Sequence, residues 1–254
     1  MRITFLGTGT SNGIPVIGCA CDVCHSTDTR DQRTRCSAVV EHGGRTLLID
    51  TSPELRLQAV ANGVTNIDAV LYTHAHADHV AGFDDLRSFN FVKQAPLDVH
   101  ADALTSGLIR ERFAYAFENS FPFFGGKPDL NLRVFDGPFE AAGIEVVPFQ
   151  VGHGRWIVSG FRFGPLVYLT DAKVVPPAAL DAMRGAEVVV INALRDRPHP
   201  VHLSIPEALE IIAEVRPRRA YLTHLSHDVS HAVLSARLPD DVRVAHDGLV
   251  VDVE

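Results

Sequence analysis

The sequence contains no apolar run approaching the length of a helical bilayer span, about 20 residues. A helical membrane protein is therefore excluded. It also lacks a basic surplus: Lys and Arg number 23 against 31 Asp and Glu, and the formal charge is -8 with 13 histidines counted as neutral. That balance argues against nucleic acid as a non-specific partner, because such binding needs a basic face. It does not exclude an anionic substrate, since bound divalent cations would offset the deficit locally. Cysteine is scarce, with 4 in the chain, yet Cys19, Cys21 and Cys24 lie within six residues of one another. Such crowding suits a metal better than a disulfide framework. The opening Met1 to Leu6 has neither the charged stretch nor the apolar core of a targeting signal. It reads as a strand, and the expected location is the cytoplasm.

Apolar residues make up 46% of the chain, enough for a large buried core. The length suits a single domain over residues 1–254, of α/β or β-sandwich class. Runs rich in Val, Ile and Leu predict strands over 2–6, 37–41, 46–49, 69–73, 97–99, 144–148, 159–163, 166–170, 187–191 and 219–223. Gly43-Gly44 reads as a two-residue hairpin turn, and Gly164-Pro165 as another turn. Helical spacing predicts helices over 53–61, 101–117, 176–183, 204–215 and 229–237. The fourth is the clearest, with Ser204 and Glu207 placed as a capping box. The stretch 119–129, with Pro and a Gly pair among aromatics, reads as an irregular loop that could border a pocket.

The chemistry is concentrated where the strand over 69–73 ends in His74-Ala75-His76-Ala77-Asp78-His79. Several metal-ligand types so close together cannot all be core residues. His74 and His76 project to one side of an extended segment. Asp78 and His79 fall at the start of a helical turn and can serve a neighbouring position, so the spacing suits two adjacent metals. His153 follows a later strand, Asp171 terminates Tyr168-Leu169-Thr170, and His224 terminates Tyr221-Leu222-Thr223. All share one pattern, an apolar strand followed by a ligand-type residue, and strands of one sheet system can bring such ends to one rim.

The His-x-His-x-Asp-His run, followed by His, Asp and His in that order, resembles the metallo-β-lactamase superfamily over essentially the whole chain. The resemblance is sharper to its phosphoribosyl 1,2-cyclic phosphodiesterase group. That match is carried by Phe5-Leu6-Gly7-Thr8-Gly9-Thr10, by Gly18-Cys19-Ala20-Cys21-Asp22-Val23-Cys24 and by Leu222-Thr223-His224-Leu225-Ser226-His227. It implies an αββα four-layer sandwich. It implies His74, His76 and His153 on one divalent metal, Asp78, His79 and His224 on the other, and Asp171 bridging the two. The pair would be Mn2+ or Zn2+. Asp50 matches the family's buried acid that orients metal ligands. The resemblance also points to His227 as the fourth ligand, beside Cys19, Cys21 and Cys24, of a structural Zn2+. Cys36 reads as a small core residue.

These residues imply a hydrolase acting on a cyclic or small phosphodiester, such as a ribose 1,2-cyclic phosphate or a cyclic nucleotide. Two close divalent ions can share a hydroxide and lower its pKa. His202 matches the family's active-site histidine that is not a ligand. It lies just before a helix N-terminus, which would depress an imidazolium pKa, and is the expected proton donor to the leaving oxygen. The Gly7 to Gly13 loop could offer backbone N–H groups to a phosphate or could only floor the metal site. Asn192 stands where related sequences usually place an acidic residue. Alternatives are a nuclease resembling the tRNA 3′-processing enzymes, and a non-catalytic binding or carrier protein of the quinone-cofactor biosynthesis type. Substrate, native metals and assembly stay open, a homodimer included.

Overall fold

The computed structural model describes residues 1–118 and 126–254. Most of the expected irregular loop over 119–129 lies outside the described residues. In chain order the strands are β1 (Arg2–Gly7), β2 (Ser37–His42), β3 (Arg45–Ile49), β4 (Ala69–Leu71), β5 (Leu97–Ala101) and β6 (Leu130–Val134). Then come β7 (Phe139–Ala141), β8 (Ile144–His153), β9 (Trp156–Phe163), β10 (Leu166–Leu169), β11 (Val188–Asn192), β12 (Arg219–Thr223), β13 (Val242–Val244) and β14 (Val250–Asp252). The helices are α1 (Leu55–Ala61), α2 (Ala77–Val80), α3 (Leu86–Lys93), α4 (Ala103–Arg112), α5 (Ala114–Phe117), α6 (Pro177–Met183), α7 (Ile205–Val215) and α8 (His231–Ser235).

Among the described residues the strands form two sheets of seven. One runs β14-β1-β2-β3-β4-β5-β6 and the other β13-β12-β11-β10-β9-β8-β7. Residues alternate sides along each strand with a period of two, and the two sides bury against different partners. Ile3, Phe5, Leu47 and Ile49 of the first sheet meet Phe161, Phe163, Tyr168 and Val190 of the second. Leu48, Val70 and Val99 face the other way, against Leu55, Leu86 and Ile109 of the helices. Val167, Leu169, Val189 and Ile191 do the same against Ala179, Met183, Ala208 and Ile212. The result is the expected four-layer αββα sandwich. Strands buried on both faces read as continuous apolar runs rather than alternating ones, as β10 and β11 do.

Local chemistry explains the element ends. Gly43 and Gly44 both have positive φ, 57° and 75°, and join β2 to its antiparallel partner β3 as a primed hairpin turn requires. Ser204 caps α7 in a complete capping box with Glu207. The helix expected over 101–117 is shorter and broken. Ala101 belongs to β5, Asp102 caps α4 by accepting from Thr105 N, and Phe113 leaves the helical region before α5. β8 runs on to His153 instead of ending near Pro148, so His153 is a strand-end residue. Sequence pattern missed α3, β6, β7, β13 and β14. The last two are three residues long, and α3 buries only Leu86 and Phe89.

β3 to β6 run parallel, as do β10 to β13. Their C-terminal ends therefore lie along one rim of each sheet, where an open α/β sheet gathers ligands.

Candidate metal centre

Three residues on that rim hold a backbone conformation that side chains disfavour. Asp50 after β3, Asp171 after β10 and His224 after β12 have φ of 58°, 57° and 56°. Such a conformation costs about 1–3 kcal/mol and persists only where the surroundings impose it. Here it turns each side chain inward as the strand stops. All are buried, at 0, 2 and 1% exposure.

The sequence-expected ligands meet at this rim. Ligand atoms of His74, His76 and His153 lie within 4.8 Å of one another, as do those of Asp78, His79 and His224. Asp171 stands between the sets. Its Oδ2 is 3.1 Å from His79 Nε2, and its Oδ1 is 3.2 Å from His224 Nε2 and 4.0 Å from His153 Nε2. The outward nitrogens of the rings are fixed from behind. Asp50 Oδ2 accepts from His79 Nδ1 at 2.7 Å and from Thr73 Oγ1 at 2.8 Å, while Asp50 Oδ1 accepts from Thr73 N at 2.8 Å. His153 Nδ1 donates to Val201 O at 2.7 Å. These contacts orient both imidazoles with Nε2 toward the centre.

The buried ring nitrogens His74 Nε2, His79 Nε2, His224 Nε2 and His202 Nδ1 have no hydrogen-bond partner. Buried polar atoms are rarely left so, because each costs about 1–3 kcal/mol. Divalent cations would satisfy them, and the donor set of imidazoles and carboxylates suits zinc or manganese. Electrostatics agree. Burial works against charge on Asp171, yet His224 and His79 hold it well below the usual carboxylate range. Burial keeps His74 well below its ordinary value, the neutral form a ligand needs. His79 behaves differently: burial opposes its charge, but Asp171, Asp78 and Asp50 raise it well above the ordinary value. A cation binding there displaces that proton.

His202 lies on the same rim outside both of those sets, but its ligand atom also falls within 4.8 Å of those of His153 and Asp171. Its Nδ1 is 3.4 Å from Asp171 Oδ1, and its ring packs 4.7 Å from His153 and 4.9 Å from His224. Burial first, then the neighbouring His224, lowers it to about 3. The direction agrees with the sequence expectation. The causes are desolvation and the adjacent imidazoles, with Asp171 opposing.

The thiolate cluster forms a second site. Sγ of Cys19, Cys21 and Cys24 lie 3.3, 3.4 and 3.4 Å from His227 Nδ1. Ligands at zinc–sulfur and zinc–nitrogen bond lengths in a tetrahedron stand about 3.6 Å apart, so the cluster has the size of a zinc site. The N–H of Cys24 draws Cys21 down to about 6, with burial opposing. Cys36 is a core residue as expected, and burial pushes it up to about 12.

Four amides of the Gly7 to Gly13 loop are spent inside the protein. The N–H groups of Thr8, Gly9, Thr10 and Gly13 go to Asp247, Thr34, Leu225 and Thr10. Glycine is needed there for close approach, since a Cβ on Gly7 would sit 2.0 Å from Arg35 O. Asn192, where related sequences usually have an acid, binds backbone. Its Oδ1 accepts from Ala172 N at 2.8 Å and its Nδ2 donates to Ala172 O at 3.0 Å. Both ends of the amide hold the residue after Asp171. Trp156 was also missed: its ring lies 4.7 Å from His76, and nothing in the local sequence marks it.

The sequence profile of the β-lactamase superfamily domain matches residues 45–225, which contain both sets of three and Asp171. The chain belongs to the metallo-β-lactamase superfamily. Superfamily membership carries metal binding and a hydrolase fold with it. A crystal structure of a diphosphatase from the PhnP family superposes with a TM-score of 0.92 at 36% identity, covering 99% of this chain and 97% of that one. Zinc-bound PqqB from Methylobacterium extorquens shares the fold, with a TM-score of 0.79 at 20% identity and full coverage of both chains. An octanoyltransferase of Porphyromonas gingivalis is 38% identical over 98% of this chain. The chain spans 51% of that protein's length, so the name describes a longer molecule. Among the described residues no helix is long and apolar enough to cross a membrane.

Proposed function

We propose that this chain is a dinuclear-metal phosphodiesterase that hydrolyses a cyclic or small phosphodiester, with residues 1–254 acting as one catalytic domain. The observation that carries the reading is the convergence of two three-ligand sets on Asp171, with buried ring nitrogens that lack partners. The diphosphatase relative supports it, since a diphosphatase also cleaves at phosphorus.

In this reading His74, His76 and His153 hold one divalent ion, Asp78, His79 and His224 hold the other, and Asp171 serves both. The ions are Mn2+ or Zn2+, and when bound they supply a nucleophile at neutral pH and positive charge beside the phosphoryl oxygens. Asp50 fixes the tautomer and angle of His79, as the acceptor behind a ligating imidazole does. Asn192 holds Ala172 and so aims Asp171. Cys19, Cys21, Cys24 and His227 hold a structural Zn2+ that ties the N-terminal loop to the segment carrying His224. His202 borders the reacting phosphorus and gives its proton to the leaving oxygen. In the free site its ring is neutral, and a phosphoryl anion beside it favours the protonated form.

The test is a substrate panel for metal-replete protein: ribose 1,2-cyclic phosphates, 2′,3′- and 3′,5′-cyclic nucleotides, bis(p-nitrophenyl) phosphate and precursor tRNA. Turnover of a cyclic or small diester with no cleavage of the tRNA is the expected result. Selective cleavage of the tRNA would replace this reading with the nuclease one. Turnover of none would leave the binding-protein reading.

A further inference from the structure

Within the set of His74, His76 and His153, one ring lacks a polar partner behind it. His74 Nδ1 lies 3.0 Å from Thr73 Oγ1, and His153 Nδ1 donates to Val201 O at 2.7 Å. Among the described residues the half-buried ring of His76 has no hydrogen bond or ion pair. A ligating imidazole normally donates its other N–H to an acceptor, and that bond sets the angle of the ring. For His76 something else must set it. The backbone around it is pinned: Ser159 N donates to Thr73 O at 3.0 Å, Arg112 Nη1 to Ala75 O at 2.8 Å, and His79 N to His76 O at 3.0 Å. These contacts fix the chain and leave the side-chain torsions free.

The ring is held by packing. The indole of Trp156 lies 4.7 Å from it, centroid to centroid, at a tilt of 55°. The rings of His74 and His153 stand at 4.6 and 5.1 Å, nearly edge-on. Those two are ligands in the proposed centre, so Trp156 is the neighbour that an ion does not itself move. Its own place is fixed. Trp156 opens β9 and stands opposite His153 across the β8–β9 hairpin, which ties it to a second ligand of the same set. Gly154 makes the turn at φ 61°, and Gly152 is clamped to Val174 by two hydrogen bonds of 2.8 and 3.0 Å. Trp156 also packs against the core between the second sheet and its helices.

We propose that Trp156 is a positioning residue for the metal centre: its indole ring holds the imidazole of His76 at the angle needed by the ion shared with His74 and His153. A ring bound to a divalent ion takes on part of its charge, and indole is the best aromatic neighbour for positive charge. The inference rests on the dinuclear part of the proposed function and not on the substrate.

The experiment reads metal binding, not turnover. Trp156 is the only tryptophan in the chain, so indole emission reports this position by itself. Protein whose thiolate site holds zinc is titrated with Mn2+, an ion that quenches a nearby indole, and calorimetry counts the ions in parallel. Wild-type emission should fall as the His and Asp centre fills. Trp156→Leu keeps apolar volume and loses the flat ring. It should bind one of the two ions about 10- to 100-fold more weakly, the range for losing a group that orients a ligating histidine, and keep the other. Trp156→Phe should recover part of the loss. Wild-type affinity for both ions in Trp156→Leu, equal weakening of both, or wild-type emission that ignores the filling of the centre would overturn the proposal. If the Leu variant does not fold, Trp156→Phe carries the test: a smaller loss confined to one ion supports the role, and no loss overturns it. Protein that binds both ions this way yet cleaves no diester would sink the substrate reading and leave Trp156 in its role.

Discussion

Asp171 occupies the point where the two ligand sets touch, so its removal should do more than remove a single contact. Loss of a residue that merely orients a ligand costs about 10- to 100-fold in affinity or activity. Asp171→Ala should exceed that in turnover and weaken both catalytic ions, while the fold survives because Tyr168 and Leu169 before it are fully packed. Metal analysis beside a rate assay checks this, and near wild-type turnover would remove Asp171 from the bridging role. His202 makes a different kind of claim. A proton donor matters in proportion to how badly the leaving oxygen needs a proton, and general acid catalysis contributes about a hundredfold to ten-thousandfold. His202→Ala should lose that much on a diester with an alkoxide leaving group and far less on a p-nitrophenyl ester, with both ions retained. Equal losses on the two esters would reduce His202 to a positioning residue, and loss of an ion would make it a ligand.

At the scale of strands and loops, the site is a set of strand ends. Much of it was legible because ligand-type residues directly follow apolar runs, as Asp171 follows Leu169-Thr170 and His224 follows Leu222-Thr223. The four-layer fold was legible through the resemblance those residues carry. The left-handed backbone of Asp50, Asp171 and His224 was not, because neither Asp nor His announces positive φ. The role of Asn192 was not legible either, since both its partners are backbone atoms of Ala172, and backbone partners leave no mark in a sequence. Asn192→Ala strips two buried hydrogen bonds from Ala172 and should cost about 1–3 kcal/mol for each group left unpaired. Calorimetric unfolding of metal-loaded protein would show it as a lower Tm. A Tm within a degree of wild type would mean that water replaces the amide. The segment after β12 carries two histidines with separate duties. His224→Ala should abolish turnover and spare the thiolate zinc. His227→Ala should release that zinc and loosen the N-terminal loop, with a smaller loss of rate. Loss of the same ion from both variants, followed by elemental analysis, would refute the division.

Over the whole molecule, both sheets of one sandwich contribute to the centre. His74, His76, Asp78 and His79 come from the first, and His153, Asp171 and His224 from the second. The inter-sheet core of Phe5, Phe161, Tyr168 and Tyr221 therefore sets the spacing of the ligands. The acidic balance of the chain, -8 overall, is compatible with the proposed phosphate substrate, because divalent ions held at the rim would supply positive charge locally. In the proposed function, catalysis belongs to the His and Asp centre and needs its metals. The most direct measurement is a metal titration of chelator-treated protein, with bound ions counted while p-nitrophenolate is released from bis(p-nitrophenyl) phosphate. The expected result is no turnover in the stripped protein, none when only the thiolate site is filled, and activity that rises and saturates as two further ions bind per chain. Full turnover by the stripped protein, or none from protein with all three ions bound, would contradict it.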